Sequence, residues 1–109
     1  MPKYLDRVFQ ALSDPTRRRV VERLSRGAAS FGDLAKRFAM APPSVLQHLR
    51  VLEACKLIRS RKQGRVRVYH VSPARLRSAE RWMEQQREFW ERRLKQLDEY
   101  LYRLKEMKR

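Results

Sequence analysis

Between residues 30 and 71 the spacing of apolar residues changes once, and that change limits what the chain can become. SFGDLAKRF (30–38) and PPSVLQHLRVLEA (42–54) place apolar residues at helical intervals. LIRSRKQGRVRVYHV (57–71) does not. It alternates around Gly64 and is loaded with arginine, which reads as two strands and a turn. Two short helices followed directly by a basic hairpin form a compact unit whose parts match a duplex, with a helix for the major groove and a charged ribbon for the flanking backbone.

The elements around this unit follow from local chemistry. Tyr4, Leu5, Val8, Phe9 and Leu12 predict a first helix over residues 3–12. Asp14-Pro15 starts a second one, with the carboxylate as N-cap and proline at the first position. Val20, Val21 and Leu24 give it a buried face, and Gly27 is expected to end it. Ser30 caps the third helix with Asp33 three residues on, and the fourth begins near Pro42. Its buried stripe is Val45, Leu46, Leu49 and Leu52. Strands are expected over Leu57–Arg61 and Arg65–Val71, with Val66, Val68 and His70 on one face. Ser72-Pro73 opens a last helix that meets no breaker before about residue 105. Along it Leu76, Met83, Trp90, Leu97 and Leu104 recur every seven residues, widened by Ala79, Phe89, Leu94 and Leu101. Such a stripe needs a partner, and a second copy of the chain is the simplest.

Charge points to the same partner as the hairpin. The 109 residues carry 27 Lys+Arg against 12 Asp+Glu, a formal net charge of +15. Residues 1–73 hold 16 basic and 5 acidic side chains, net +11, and residues 74–109 hold 11 and 7, net +4. The strong field therefore sits on the reading unit, as double-stranded DNA demands. A membrane surface would call for a basic amphipathic helix instead. Within this field Ser44 and Gln47, near the start of the fourth helix, are expected to meet base edges. Pro43 lies beside them, Arg50 is expected to reach guanine or phosphate, and His48, at the edge of the helix, is expected either to pack or to contact phosphate. Arg59, Arg61, Lys62, Arg65 and Arg67 are expected to hold phosphates, since Pro42-Pro43 removes two backbone donors from the helix start. Arg17, Arg18 and Arg19 sit unfavourably at a helix N-terminus, which calls for either phosphate contact or an ion pair with Asp14 or Glu22.

Other classes find little support. Cys55 is the single cysteine, so no intramolecular disulfide forms. It reads as a small buried residue rather than a redox sensor. His48 and His70 are the only histidines and have no metal-ligand spacing. No phosphate loop, nucleophile–base pair or paired catalytic carboxylates occur, so neither an enzyme nor a cofactor is expected. MPKYLDRVFQAL lacks the apolar stretch of a signal peptide. No run reaches the roughly 20 apolar residues of a membrane span. The expectation is a cytoplasmic chain with no membrane partner.

ALSDPTRRRVVERL, FGDLAKRF, SVLQHLRVLE and KLIRSRKQGRVRVYHV, in this order and spacing, resemble the ArsR/SmtB family of bacterial winged-helix repressors over about residues 3–72. The resemblance implies a mostly α fold with a small β-hairpin wing, that is, a winged helix-turn-helix over residues 1–72 with a dimerisation helix over 73–109. It further implies a homodimer built on the first and last helices, which places Leu5, Phe9, Leu76, Met83, Trp90, Leu97 and Leu101 at the dimer contact or in the core. The expected activity is binding to an inverted-repeat operator and repression, often relieved by an inducer. The chain departs from the family pattern at SFGDL, which replaces the cysteine motif of metal-sensing members, and in its histidine-free last helix. Metal sensing is therefore not expected, and the inducer is of unidentified chemistry. Ala41 stands where a capping serine is usual. Lys56 stands where glycine is usual, so it must take a positive φ or the turn must differ. Two rivals remain: a non-specific architectural DNA- or RNA-binding protein, and an interaction module that uses the long helix.

Overall fold

The computed structural model describes residues 1–108. The chain divides into two compact units, Met1–Ala79 and a second beginning at Glu80. The first contains α1 (Lys3–Leu12), α2 (Pro15–Ser25), β1 (Ala29–Ser30), α3 (Phe31–Arg37), α4 (Pro42–Ala54), β2 (Ile58–Gln63) and β3 (Val66–Val71). Helix α5 (Pro73–Met107) begins in it and supplies the second unit. The sequence reading breaks the chain after residue 72. The compact unit instead runs on to Ala79, because that residue is buried and Leu76 is half-buried.

The caps form as the residues dictate. Asp14 is extended and accepts a hydrogen bond from the Arg17 amide at 2.9 Å, with Pro15 opening α2. Ser30 Oγ accepts from the Asp33 amide at 3.1 Å. Helix α2 ends as expected at Gly27: Ser25 is its last residue, Arg26 its C-cap, and the Gly27 amide in the next position donates to the Leu24 carbonyl at 3.1 Å. At φ +148° Gly27 also turns the chain toward β1.

The sheet has three antiparallel strands in the order β1-β3-β2. Sequence reasoning did not foresee β1. It is only two residues long and shows no alternation, yet it pairs Ala29 with Tyr69 and Ser30 with Val68. The hairpin strands are displaced from their expected bounds, since only Gly64 and Arg65 separate Gln63 from Val66. Gly64, at φ +63°, takes the first loop position, as a primed hairpin turn requires. The inward face of β3 is the one with Tyr69, 2% exposed, while Val66 is 47% exposed.

Leu5, Val8 and Ala11 of α1, Val20, Val21 and Leu24 of α2, Leu34 of α3, Val45, Leu49 and Leu52 of α4, and Leu57, Ile58 and Tyr69 form one buried cluster. Leu5 thus belongs to the core of its own chain and offers no face to a partner. Two of the three arginines at the start of α2, Arg17 and Arg18, take a role outside both sequence alternatives. Arg17 Nε donates to the Ala11 carbonyl at 2.7 Å and its Nη2 to Gln10 at 3.2 Å, while Arg18 Nη1 donates to Leu12 at 2.7 Å. These are carbonyls of the last turn of α1, of which Gln10 also accepts from the Ser13 amide at 3.1 Å, so two cations close the helix at its negative end.

Arg17→Ala strips charged donors from those carbonyls and should destabilise the chain by about 1.5–3 kcal/mol. Arg19→Ala, in the same turn but without such bonds, should stay within about 0.5 kcal/mol. Urea unfolding of both variants measures the difference.

Candidate nucleic-acid interface

Helix α4 has two sides of opposite character. Val45, Leu49 and Leu52 are buried at 2%, 0% and 0% exposure. Pro43, Ser44, Gln47 and Arg50 are all exposed. Ser44, Gln47 and Arg50 recur every three residues, so they form one stripe along the outer surface. Leu46 is half-buried and lines the edge of a cleft rather than the core.

Ala41 makes no side-chain cap. With Pro42 and Pro43 in the first turn, two of the donors that a cap would serve are missing. The next ones, the amides of Ser44 and Val45, bond back to the Ala41 carbonyl at 2.9 and 3.2 Å. A capping serine is therefore dispensable here. At the other end Lys56 takes φ +64°. The Lys56 amide bonds to the Glu53 carbonyl at 2.9 Å and the Leu57 amide to Leu52 at 3.1 Å, the paired bonds of a Schellman turn. Lysine fills a glycine position, and the turn survives to launch the hairpin.

His48 is not part of the outer stripe. Its side chain is 18% exposed and its Nδ1 lies 3.8 Å from Asp14 Oδ2. That nitrogen is buried without a hydrogen-bond partner. His48 therefore sits between α4 and the cap of α2. The Asp14 carboxyl is held below the ordinary carboxylate range, first by the Arg17 amide, against some desolvation, and then by the nearby His48 and Arg17.

The hairpin cations do not form a single patch. Cross-strand partners share a face, and the register pairs Arg59 with His70, Arg61 with Val68, and Lys62 with Arg67. Lys62 and Arg67 therefore lie on the face of Ser60 and Tyr69, while Arg59 and Arg61 lie on the other, and Arg65 is in the turn. All five are exposed. Arg67 Nη1 donates to Ser60 Oγ at 2.9 Å, which orients its guanidinium. Arg50, Glu53, Arg67 and Tyr69 border a cleft of about 500 Å³ between α4 and the hairpin. Burial, and then the charge of Glu53, push the Tyr69 hydroxyl pKa up.

Cys55 is buried, donates from Sγ to the Leu52 carbonyl at 3.3 Å, and has its thiol pKa raised by burial. It is a packed thiol, not a poised thiolate. Among the described residues no three His, Cys, Asp or Glu side chains converge as metal ligands, and no helix is long and apolar enough to cross a membrane. Of the residues expected at a dimer contact, Phe9 and Leu76 are half-buried. Met83, Trp90, Leu97 and Leu101 are 50–59% exposed on α5.

Comparison with known proteins bears on this surface. A family model described as a helix-turn-helix domain matches residues 12–61. The HTH-type transcriptional regulator Rv2034 of Mycobacterium tuberculosis is 40% identical over 89 residues, 82% of this chain and 80% of that protein. The transcriptional repressor SdpR of Bacillus subtilis is 33% identical over 79 residues, 72% of this chain and 88% of that one. A crystal structure of an ArsR family transcriptional regulator superposes with a TM-score of 0.78 at 47% identity, over 84% of this chain and 94% of its own.

The lowered pKa of Asp14 has a testable consequence. A carboxylate with a depressed folded pKa contributes stability that is complete above its unfolded value, near 3.8, and is lost as pH falls through the folded value. Asp14→Asn should therefore be less stable than the parent at neutral pH, with the gap closing below about pH 4. Thermal melts across a pH series from acid to neutral follow it.

Proposed function

The chain belongs to the ArsR family of helix-turn-helix transcriptional regulators, and from that premise we propose that it binds an inverted-repeat operator as a homodimer and represses transcription there. Proteins of this family bind DNA and are not enzymes. A role on operator DNA is a cytoplasmic one. The observation that carries the proposal is the exposed stripe of Ser44, Gln47 and Arg50 on a helix whose other face is buried, beside a hairpin with five exposed cations.

Ser44 and Gln47 lie near the start of α4, the end that enters a major groove first, where glutamine suits adenine. Arg50, a turn further on, reaches guanine or the phosphate rim. The two faces of the hairpin explain how separated arginines can serve one function. A ribbon whose tip enters a minor groove has a phosphate backbone on either side. Lys62 and Arg67 address one strand, Arg59 and Arg61 the other, and Arg65 the groove between. His48 and Pro43 act indirectly, holding α4 against the cap of α2 and setting its first turn.

The partner is a second copy. In the second unit Leu94, Leu97, Leu101 and Leu104 are spaced three, four and three apart and are 57%, 50%, 52% and 36% exposed. This is the seam of a coiled coil without its other strand. Two joined copies present two reading helices, which match half-sites about 34 Å apart on one face of the duplex.

Fluorescence anisotropy on the DNA upstream of the gene, with a shuffled duplex as control, tests the reading. The upstream duplex should bind about 10³-fold more tightly or better at physiological salt. Gln47→Ala should cost about 1–3 kcal/mol on that duplex and little on the shuffled one. Arg65→Ala with Arg67→Ala should weaken both alike and flatten the salt dependence by about 0.9 for each phosphate no longer neutralised. Equal binding of both duplexes by the parent protein would favour an architectural binder instead. Sedimentation should give twice the 13.2 kDa chain mass, and Leu97→Asp with Leu101→Asp should return the protein to one chain.

A further inference from the structure

A second group of cations lies apart from α4 and the hairpin. Arg19, Arg23 and Arg26 of α2 and Arg37 at the end of α3 line an open cavity of about 640 Å³, with Glu22 and Phe38 on its wall. No residue of α4, β2 or β3 contributes to it. On α2 the cause is simple. Val20, Val21 and Leu24 are buried, which turns the positions three and four apart around them outward, and these are arginines.

This arrangement is unfavourable on its own terms. Like charges at i,i+4 (Arg19 and Arg23) and i,i+3 (Arg23 and Arg26) repel along a helix, and Arg37 brings a further charge from another element. Yet little here is neutralised. Arg23 Nη1 donates to the Gly27 carbonyl at 3.0 Å. Among the described residues, the guanidinium groups of Arg19, Arg26 and Arg37 have neither a hydrogen bond nor an ion pair, and Glu22 forms no ion pair. A surface shaped only for solubility mixes its signs. Four planar forks around one concavity, with a half-buried phenyl ring as apolar wall, instead match a small oxyanion that accepts several charged hydrogen bonds.

We propose that this cavity is a binding site for a small, multiply charged oxyanion, phosphate- or carboxylate-bearing, whose occupancy alters the presentation of α4. The coupling route is short. Arg37 and Phe38 end α3, Ala39 at φ +43° turns the chain, and α4 starts at Pro42. An anion bridging α2 to the end of α3 bears on the joint that aims the reading helix. The regulatory half of this proposal rests on the DNA-binding reading; the site itself does not.

The test is an amide-detected NMR titration of the full chain at constant ionic strength, with inorganic pyrophosphate and, separately, citrate. Support is saturable binding at one site per chain, with shifts centred on residues 19–26 and 37–39. Arg19→Gln with Arg37→Gln should weaken it by about tenfold or more, whereas Arg59→Gln with Arg61→Gln should leave it unchanged. Matching melting temperatures confirm that the variants fold, as befits exposed side chains. The tighter of the two probes identifies the phosphate or carboxylate class. Shifts that never saturate, or equal weakening by the hairpin variant, would mean a general positive field and no site. Strictly competitive displacement, in which the apparent affinity for pyrophosphate falls without limit as duplex is raised, would assign the cavity to the DNA interface and overturn the proposal; a loss that levels off is the reciprocal of the coupling. On the operator, pyrophosphate should change the affinity of the parent at least about threefold, beyond any ionic-strength effect, and not that of Arg19→Gln with Arg37→Gln. Binding without that change removes the regulatory half alone. Failure to find an operator leaves the titration to decide the site.

Discussion

The outer stripe of α4 and the launch of the hairpin both depend on the burial of one side of α4. Each of Val45, Leu49 and Leu52 contributes about 1.5–3 kcal/mol when removed from water, and all three are at most 2% exposed. Helical geometry then leaves Ser44, Gln47 and Arg50 no direction but outward. The same packing orients the end of the helix, where the Schellman turn at Lys56 sends the chain into β2. The Ser72 amide, bonded to the Leu57 carbonyl at 2.9 Å, closes the base of the hairpin against that turn. Helix α4 and the hairpin are thus two outputs of one core, and a change in that core moves both.

A net charge of +15 on 109 residues opposes compaction through self-repulsion. The fold answers locally. Arg17 and Arg18 are absorbed by the last carbonyls of α1, Arg75 lies 4.2 Å over the Tyr4 ring, and Arg87 pairs with Glu84 at 2.6 Å. Apart from Arg23, bonded to the Gly27 carbonyl, and Arg67, bonded to Ser60, the cations of the hairpin and of the α2–α3 cavity have no comparable internal use. That division separates charge that builds the protein from charge left for a polyanion.

Much of this was legible in the residues. The caps at Asp14 and Ser30 are local chemistry, so α2 and α3 begin where the sequence puts them. The outer stripe of α4 follows from the helical period. At Lys56 the family resemblance left a positive φ or a different turn open, and the structure takes the first, at φ +64°. What escaped depends on contacts distant in sequence. β1 exists only because β3 pairs with Ala29 and Ser30. Tyr69 is buried because that pairing sets the inner face of β3, and a near-random alternation of Val and Arg could not show it. The division of the hairpin arginines between two faces needs the register. The role of Arg17 needs the spatial meeting of the end of α1 with the start of α2, and the arginine cavity needs Arg37 beside α2. The partner that His48 packs against was hidden for the same reason, since Asp14 is 34 positions away.

Hydroxyl-radical footprinting of the full chain on its operator duplex tests the central claim most directly. Two protected patches related by a dyad, with centres about 10 base pairs apart and flanking minor-groove protection that disappears when the hairpin arginines are replaced by alanine, are the predicted result. A single unpaired patch, or even protection along the whole duplex, would contradict the account.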